Sequence, residues 1–144
     1  MLFRSQAKAP KLYFYDWAYL HHSGNETAES GETLGAVLEN LVATHLLKHV
    51  QYMSDSAGEL LDLNYVRTTD GKEIDFVLTN EAGDASHFIE VKLTDERPSY
   101  ALRQMAQRHP RAKASQIVLQ ARHAYEKEGV SICPAAAWLN ELAA

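Results

Sequence analysis

The stretch at residues 67–93, R-T-T-D-G-K-E-I-D-F-V-L-T-N-E-A-G-D-A-S-H-F-I-E-V-K-L, decides the fold of this chain. An Asp-Gly pair at 70–71 and a Gly-Asp pair at 83–84 interrupt runs that are rich in β-branched and aromatic residues. Such turn pairs between alternating runs favour tight hairpins over a continuous helix. The predicted strands are residues 60–67, 72–79 and 87–93.

Side chains alternate along the second and third of these strands. Alternation predicts that Asp75 leaves the sheet on the face opposite to Ile74 and Phe76. It also predicts that Glu90 and Lys92, two residues apart, share one face of the next strand. The acids therefore lie on strands with a buried face, where an isolated carboxylate is costly unless a cation or a partner balances its charge.

Asp75 and Glu90 on neighbouring strands could share one hard cation. Mg²⁺ prefers oxygen ligands and keeps several of its waters. The Lys92 ammonium beside a metal-bound water would orient that water and offset the charge that develops in phosphodiester hydrolysis. The alternative is structural, because a cross-strand ion pair on the surface has the same sequence pattern.

The rest of the chain supplies helices and further strands around this hairpin. Apolar residues at helical spacing predict a helix over 32–50, and its Glu39 lies at the margin of the apolar stripe, as a flanking charge would. Strands clustered before a crossover helix indicate an α/β fold with a mixed sheet flanked by helices. The remaining predictions are strands at 11–15, 115–119 and 130–132 and helices at 97–108 and 134–142.

Asp75 and the Glu90-Val91-Lys92 triplet, separated by a hairpin, resemble the signature of the PD-(D/E)xK nuclease superfamily. The G-A-V-L-E sequence at 35–39 is similar to a G-x-x-x-E element in some of its branches. At the level of phrases, K-L-Y-F-Y-D, L-E-N-L-V-A-T-H-L-L-K and Y-V-R-T-T-D-G-K-E-I-D-F-V-L resemble a C-terminal domain of unknown function that follows an AAA-type ATPase module in bacterial and archaeal proteins. That likeness covers about residues 10–120.

The resemblance implies a restriction-endonuclease-like mixed sheet with the core order αβββαβ. It implies that Glu39, Asp75 and Glu90 are ligands of Mg²⁺ or Mn²⁺ and that Lys92 is the catalytic lysine. The implied activity is hydrolysis of phosphodiester bonds in DNA. Ile74 stands where the superfamily's name has proline, and Arg108 follows Gln104 where an exonuclease-like branch has tyrosine.

The resemblance also implies a second possibility, in which the domain is catalytically silent. Such a nuclease-fold domain would bind a protein partner or nucleic acid, or regulate the ATPase module. The chain has no Walker A glycine loop, so the ATPase itself would be a separate module. The chain would then be the detached tail of such a protein or a truncated relative of it.

The charge of the chain bears on nucleic-acid binding. The net charge is −5, which argues against strong non-specific binding. Seven of the 14 Lys and Arg residues nevertheless lie between Arg97 and Lys127, with Glu126 as the single acid in that span. We therefore predict local contacts to a phosphate backbone, with a solvated helix face as the alternative. The predicted contacts are Arg103, Arg108, Arg111 and Lys113.

Length and composition indicate one ordinary globular domain over residues 1–144. Residues 1–10 and the polar, glycine-bearing stretch at 21–31 are predicted to be flexible. One cysteine, Cys133, cannot form an internal disulfide, and no apolar run reaches the roughly 18 residues that span a bilayer. A cytoplasmic domain without membrane contact is therefore expected.

Overall fold

The computed structural model of the chain describes residues 31–67 and 70–142, with side chains from residue 34 onward. The predicted strand at 11–15 and the predicted flexible residues 1–10 and 21–30 lie outside the described residues. Gly31 begins the first helix. The elements in order are α1 (Gly31–Ala57), β1 (Leu61–Arg67), β2 (Glu73–Asn80), β3 (Ala85–Lys92), α2 (Tyr100–Arg108), β4 (Lys113–Val118), β5 (Tyr125–Lys127), β6 (Val130–Pro134) and α3 (Ala135–Leu142).

The six strands form one mixed sheet in the order β1-β2-β3-β4-β6-β5. Strand β2 is antiparallel to both of its neighbours, β1 and β3. The helix α2 then returns the chain so that β4 runs parallel to β3, and β6 runs parallel to β4. This confirms the predicted α/β class, in which helices flank a mixed sheet. Across the described residues, no helix is both long and apolar enough to cross a membrane.

One helix is longer than predicted, and one short strand was not predicted. Helix α1 continues seven residues beyond 50 to Ala57, where Gly58 at φ +66° ends it and the Glu59 N–H bonds to the Met53 carbonyl. Glycine takes this left-handed conformation without steric cost, which makes it a common helix terminator. The polar stretch at 123–128 contains strand β5, whose three residues are all exposed and carry no apolar alternation.

The sheet is covered on both sides. Helices α1 and α3 pack through Leu46 and Trp138 against Phe76, Leu78 and Ile117; we call this side the two-helix face. Helix α2 packs against the other side, the one-helix face, which is made by Ile74, Val77, Phe88, Ala114 and Val118. The core strand β4 contributes to both faces, which explains why residues 114–118 are buried without interruption.

A β-bulge in strand β2 changes which face Asp75 occupies. Asn64 pairs with Val77 and Val66 pairs with Ile74, so two residues of β2, Asp75 and Phe76, lie opposite one residue of β1. A bulge of this kind re-aims the side chains on either side of it. Ile74 therefore belongs to the one-helix face and Phe76 to the two-helix face, and the prediction that the two share a face is wrong.

Candidate functional site

A groove opens where helix α1 passes the end of strands β2 and β3. It has a volume of about 410 Å³, and Glu39, Asp75 and Lys92 line it together with Asp95. The remaining lining residues are Gly35, Leu38, Val91, Leu93 and Thr94. Three separate elements therefore bring an acid from a helix, an acid from a bulge and a lysine from a strand end to one cavity. The family resemblance implied that these three residues form one site together with Glu90.

The bulge places Asp75 against the end of β3. Its Oδ2 accepts a hydrogen bond from the backbone N–H of Val91 at 2.8 Å. Because this bond holds the carboxylate next to the backbone of the Glu-Val-Lys triplet, the side chain has a fixed position at the groove wall. A hydrogen bond to an ionised acceptor is about twice as strong as a neutral one.

Glu90 lies next to Lys92 and is 5% exposed. Its Oε1 is 2.8 Å from the Lys92 ammonium, whose side chain is 38% exposed. Its Oε2 accepts a hydrogen bond from the hydroxyl of Ser99. Alternation from Phe88 puts Glu90 on the one-helix face, where the Ser99 contact lies, and Glu90 is not among the residues that line the groove.

The charges around Lys92 keep it protonated. Burial alone would lower the pKa of its ammonium, but the hydrogen bond and charge of Glu90, with the charges of Asp75 and Asp95, outweigh burial and raise it above its usual value. Lys92 therefore carries a positive charge at neutral pH. Such a group can offset negative charge, and it has no free lone pair with which to accept a proton.

Ser99 connects this ion pair to helix α2. It is the N-cap of the helix, and its hydroxyl oxygen accepts a hydrogen bond from the Leu102 N–H at 3.1 Å. The same hydroxyl donates to Glu90, so one side chain satisfies a free helix N–H and a buried carboxylate. The positive end of the helix dipole also points at this carboxylate. Sequence reasoning named neither role for Ser99.

Gln116 holds the loop that carries Ser99. Its side chain is fully buried in strand β4. The Oε1 atom accepts from the Ser99 N–H at 3.1 Å, and Nε2 donates to the carbonyls of Asp95 and Arg97 at 2.7 and 2.9 Å. The signal in the sequence that marks it is its place in the predicted buried strand S-Q-I-V-L at 115–119. Gln116 thus fixes the backbone of the groove rim at Asp95.

The four predicted nucleic-acid contacts lie on α2, in the loop after it and at the start of β4. Arg103 is on α2 and pairs with Glu128 at 2.9 Å. Arg108 and Arg111 line a separate cavity beside the β2–β3 turn. Lys113 pairs in register with His87, which lies five residues before Lys92 and therefore about 16 Å along the strand from it. Arg108, Arg111 and Lys113 therefore lie near one end of the sheet, and the role of the four residues in binding stays a prediction.

The proposed metal ligands also divide. Glu39 and Asp75 line the groove, whereas Glu90 is engaged with Lys92 and Ser99. Within residues 31–67 and 70–142, no group of three or more His, Cys, Asp or Glu side chains is close enough to hold a metal ion. The prediction of a three-acid metal site stays a prediction.

Comparison with known proteins gives one match. A family model described as "Domain of unknown function (DUF4143)" matches residues 34–138. No curated protein and no solved structure matches the chain. The matched range begins in α1 and ends in α3, so it contains the whole sheet and every residue that lines the groove.

Proposed function

The chain belongs to the DUF4143 family, a domain of unknown function, and we propose from its groove that it hydrolyses phosphodiester bonds of DNA with the help of a divalent cation. The observation that carries the proposal is that Glu39, Asp75 and Lys92 line one groove. Two carboxylates and one ammonium at a common cavity are the side chains that this chemistry needs.

The donor set fits a hydrated Mg²⁺ or Mn²⁺. Mg²⁺ is usually bound through one or two carboxylates and keeps several waters. Glu39 and Asp75 supply two carboxylates, and a groove of about 410 Å³ leaves room for the waters. When bound, the cation would polarise a phosphoryl oxygen and make a bound water more acidic.

The protein's own groups have separate roles in this proposal. Asp75 holds its position through the Val91 N–H. Lys92 is protonated, so it donates hydrogen bonds to a phosphate oxygen and stabilises the negative charge of the transition state. Water forms the new P–O bond, and the bond to the leaving sugar oxygen breaks. The products are a phosphate monoester and a free hydroxyl.

A second candidate function is a catalytically silent nuclease-fold domain that binds a protein partner, such as an ATPase module, or nucleic acid. The Glu90–Lys92 ion pair favours it, because each charge of the triplet is already balanced within the protein. In that case the groove would be a relic of a hydrolase, and Lys92 would serve stability alone.

Cleavage of supercoiled plasmid and of branched oligonucleotides, in Mg²⁺ or Mn²⁺ against EDTA, tests the proposal. We expect cation-dependent nicking by the wild type and a loss of about 100-fold or more in Asp75→Asn and Lys92→Met. Asp62→Asn on the exposed side of β1 and Lys127→Met on β5 are matched controls that should keep full activity. No nicking by a folded wild type, or equal nicking by all five proteins, would reject the enzyme and favour the silent domain.

A further inference from the structure

Glu90 has both carboxylate oxygens engaged inside the protein. Oε1 contacts the Lys92 ammonium at 2.8 Å, and Oε2 accepts from the Ser99 hydroxyl. The residue is 5% exposed. A carboxylate this deeply buried must keep partners for its charge, and replacing them would require the site to rearrange.

The position of Glu90 separates it from the other two acids. It lies on the one-helix face, beside the N-terminus of α2, and does not line the groove. Glu39 and Asp75 do line the groove, on the side where α1 packs. Lys92 is the residue that both environments share, since it pairs with Glu90 and also lines the groove.

The support behind Glu90 is rigid. Two hydrogen bonds fix Ser99. Its backbone N–H donates to the side chain of the buried Gln116, and its hydroxyl accepts from the Leu102 N–H at the start of α2. The hydroxyl hydrogen can then point only at Glu90. A fully satisfied buried network of this kind holds each member in one orientation.

We infer that Glu90 and Ser99 are positioning residues that aim the Lys92 ammonium into the groove, and that Glu90 is not a ligand of the cation, which Glu39 and Asp75 would bind. The inference rests on the proposed function and deepens it, because it assigns separate tasks to three acids that the sequence signature treats as one ligand set. It also gives Ser99 a role in the site.

Calorimetric titration with Mn²⁺ separates the two possible roles of Glu90. We expect Glu90→Gln to bind Mn²⁺ within about 3-fold of the wild type, because the groove carboxylates are unchanged. Asp75→Asn and Glu39→Gln should each bind at least about 10-fold more weakly. Equal weakening in Glu90→Gln and Asp75→Asn would show that Glu90 is a ligand and overturn the inference.

The positioning of Lys92 has its own readout, which needs no metal. A hydrogen-bonded ammonium exchanges its protons slowly enough to give a ¹H–¹⁵N NMR signal, and Lys92→Arg identifies which signal belongs to Lys92. We expect this signal in the wild type and its loss in Glu90→Gln. Wild type that binds no Mn²⁺ but shows this pattern would reject the proposed function and keep the positioning role.

Substitutions of Ser99 distinguish positioning from helix capping. Ser99→Thr keeps the hydroxyl and should keep the Lys92 signal. Ser99→Gly is tolerated at an N-cap and has no side chain that could donate to Glu90, so the helix should remain while the Lys92 signal is lost. Retention of the signal in both Ser99→Gly and Glu90→Gln would overturn the role assigned to these residues.

Discussion

Asp75 accepts a hydrogen bond at 2.8 Å from the backbone N–H of Val91, the central residue of the Glu-Val-Lys triplet. The bond joins the bulged strand β2 to the end of β3, where the two strands border the groove. The side-chain bond of Asp75 therefore adds to the backbone pairing of β2 with β3 and extends it to the groove. Asp75 and the Glu-Val-Lys triplet, which resemble a sequence motif, are thus also connected by a hydrogen bond.

The hydrogen bond between Asp75 and the Val91 N–H should contribute measurably to stability. We expect Asp75→Ala to lower the free energy of unfolding by about 2 kcal/mol, because the Val91 N–H loses a charged acceptor. Asp75→Asn keeps an acceptor oxygen and should cost less than about 1 kcal/mol. Urea unfolding measures both, with Asp62→Asn as a surface control. An Asp75→Ala protein as stable as the wild type would show that this hydrogen bond does not stabilise the fold.

The Glu90–Lys92 pair should show coupling in a double-mutant cycle. Lys92→Met leaves the carboxylate of Glu90 buried without its cation, and we expect a loss of about 2 kcal/mol. Glu90→Gln keeps an oxygen that accepts from Ser99. The double variant should therefore be more stable than Lys92→Met alone, by about 1 kcal/mol. Strictly additive effects in urea unfolding would mean that the pair contributes no net interaction.

Gln116 offers a test of the loop that forms the groove rim. Gln116→Leu removes an amide that bonds to Ser99, Asp95 and Arg97, and three backbone groups of the rim loop lose their partner. We expect a loss of about 3 kcal/mol and a groove that no longer binds a cation tightly. The exposed Gln120, changed to leucine, is the matched control and should behave as the wild type. Equal stability of the two variants would show that the amide network is dispensable.

His87 should make the protein sensitive to acid. Its Nε2 lies 2.7 Å from the hydroxyl oxygen of Ser115, and its ring packs edge-on at 6.4 Å from Trp138 of α3. Burial, followed by the charges of Lys113 and His49, lowers its pKa from 6.5 to about 4. Between these two pH values the unfolded chain binds a proton that the folded protein does not bind.

The stability that the neutral His87 contributes is therefore fully present above pH 6.5. As the pH drops towards 4, the free energy of unfolding falls by about 3 kcal/mol in total. Urea unfolding at a series of pH values measures this slope. His87→Gln should flatten the part of the slope that lies between pH 6.5 and 4, whereas His123→Gln in the exposed loop should leave it unchanged. A slope that survives in His87→Gln would assign the acid sensitivity to other groups.

Much of the fold could be predicted from the sequence, because each strand of the hairpin is bounded by turn residues and carries apolar residues at short spacing. The predicted strands at 60–67, 72–79 and 87–93 correspond to β1, β2 and β3 within two residues at each end. The crossover helix and the two parallel strands after it were also predicted. These features depend on local patterns, which a single sequence contains.

The features that were missed depend on pairing between distant residues. The bulge at Asp75 arises from the register between β1 and β2, and nothing in E-I-D-F-V shows that alternation breaks there. The hydrogen bonds of Gln116 to the rim loop join residues that are 17 to 21 positions apart. The candidate site was predicted from residue types, but the different placement of Asp75 and Glu90 becomes visible only when the faces of the sheet are known.

The proposed cation site is tested most directly by soaking a crystal of this protein in Mn²⁺ and collecting diffraction data at the manganese absorption edge. We expect one anomalous peak in the groove, from an Mn²⁺ ion that carboxylate oxygens of Glu39 and Asp75 coordinate. Glu90 should still be paired to Lys92. A groove without a peak at millimolar Mn²⁺ would contradict the central claim. A peak bound by Glu90 would keep the metal site and reject the role assigned to that residue.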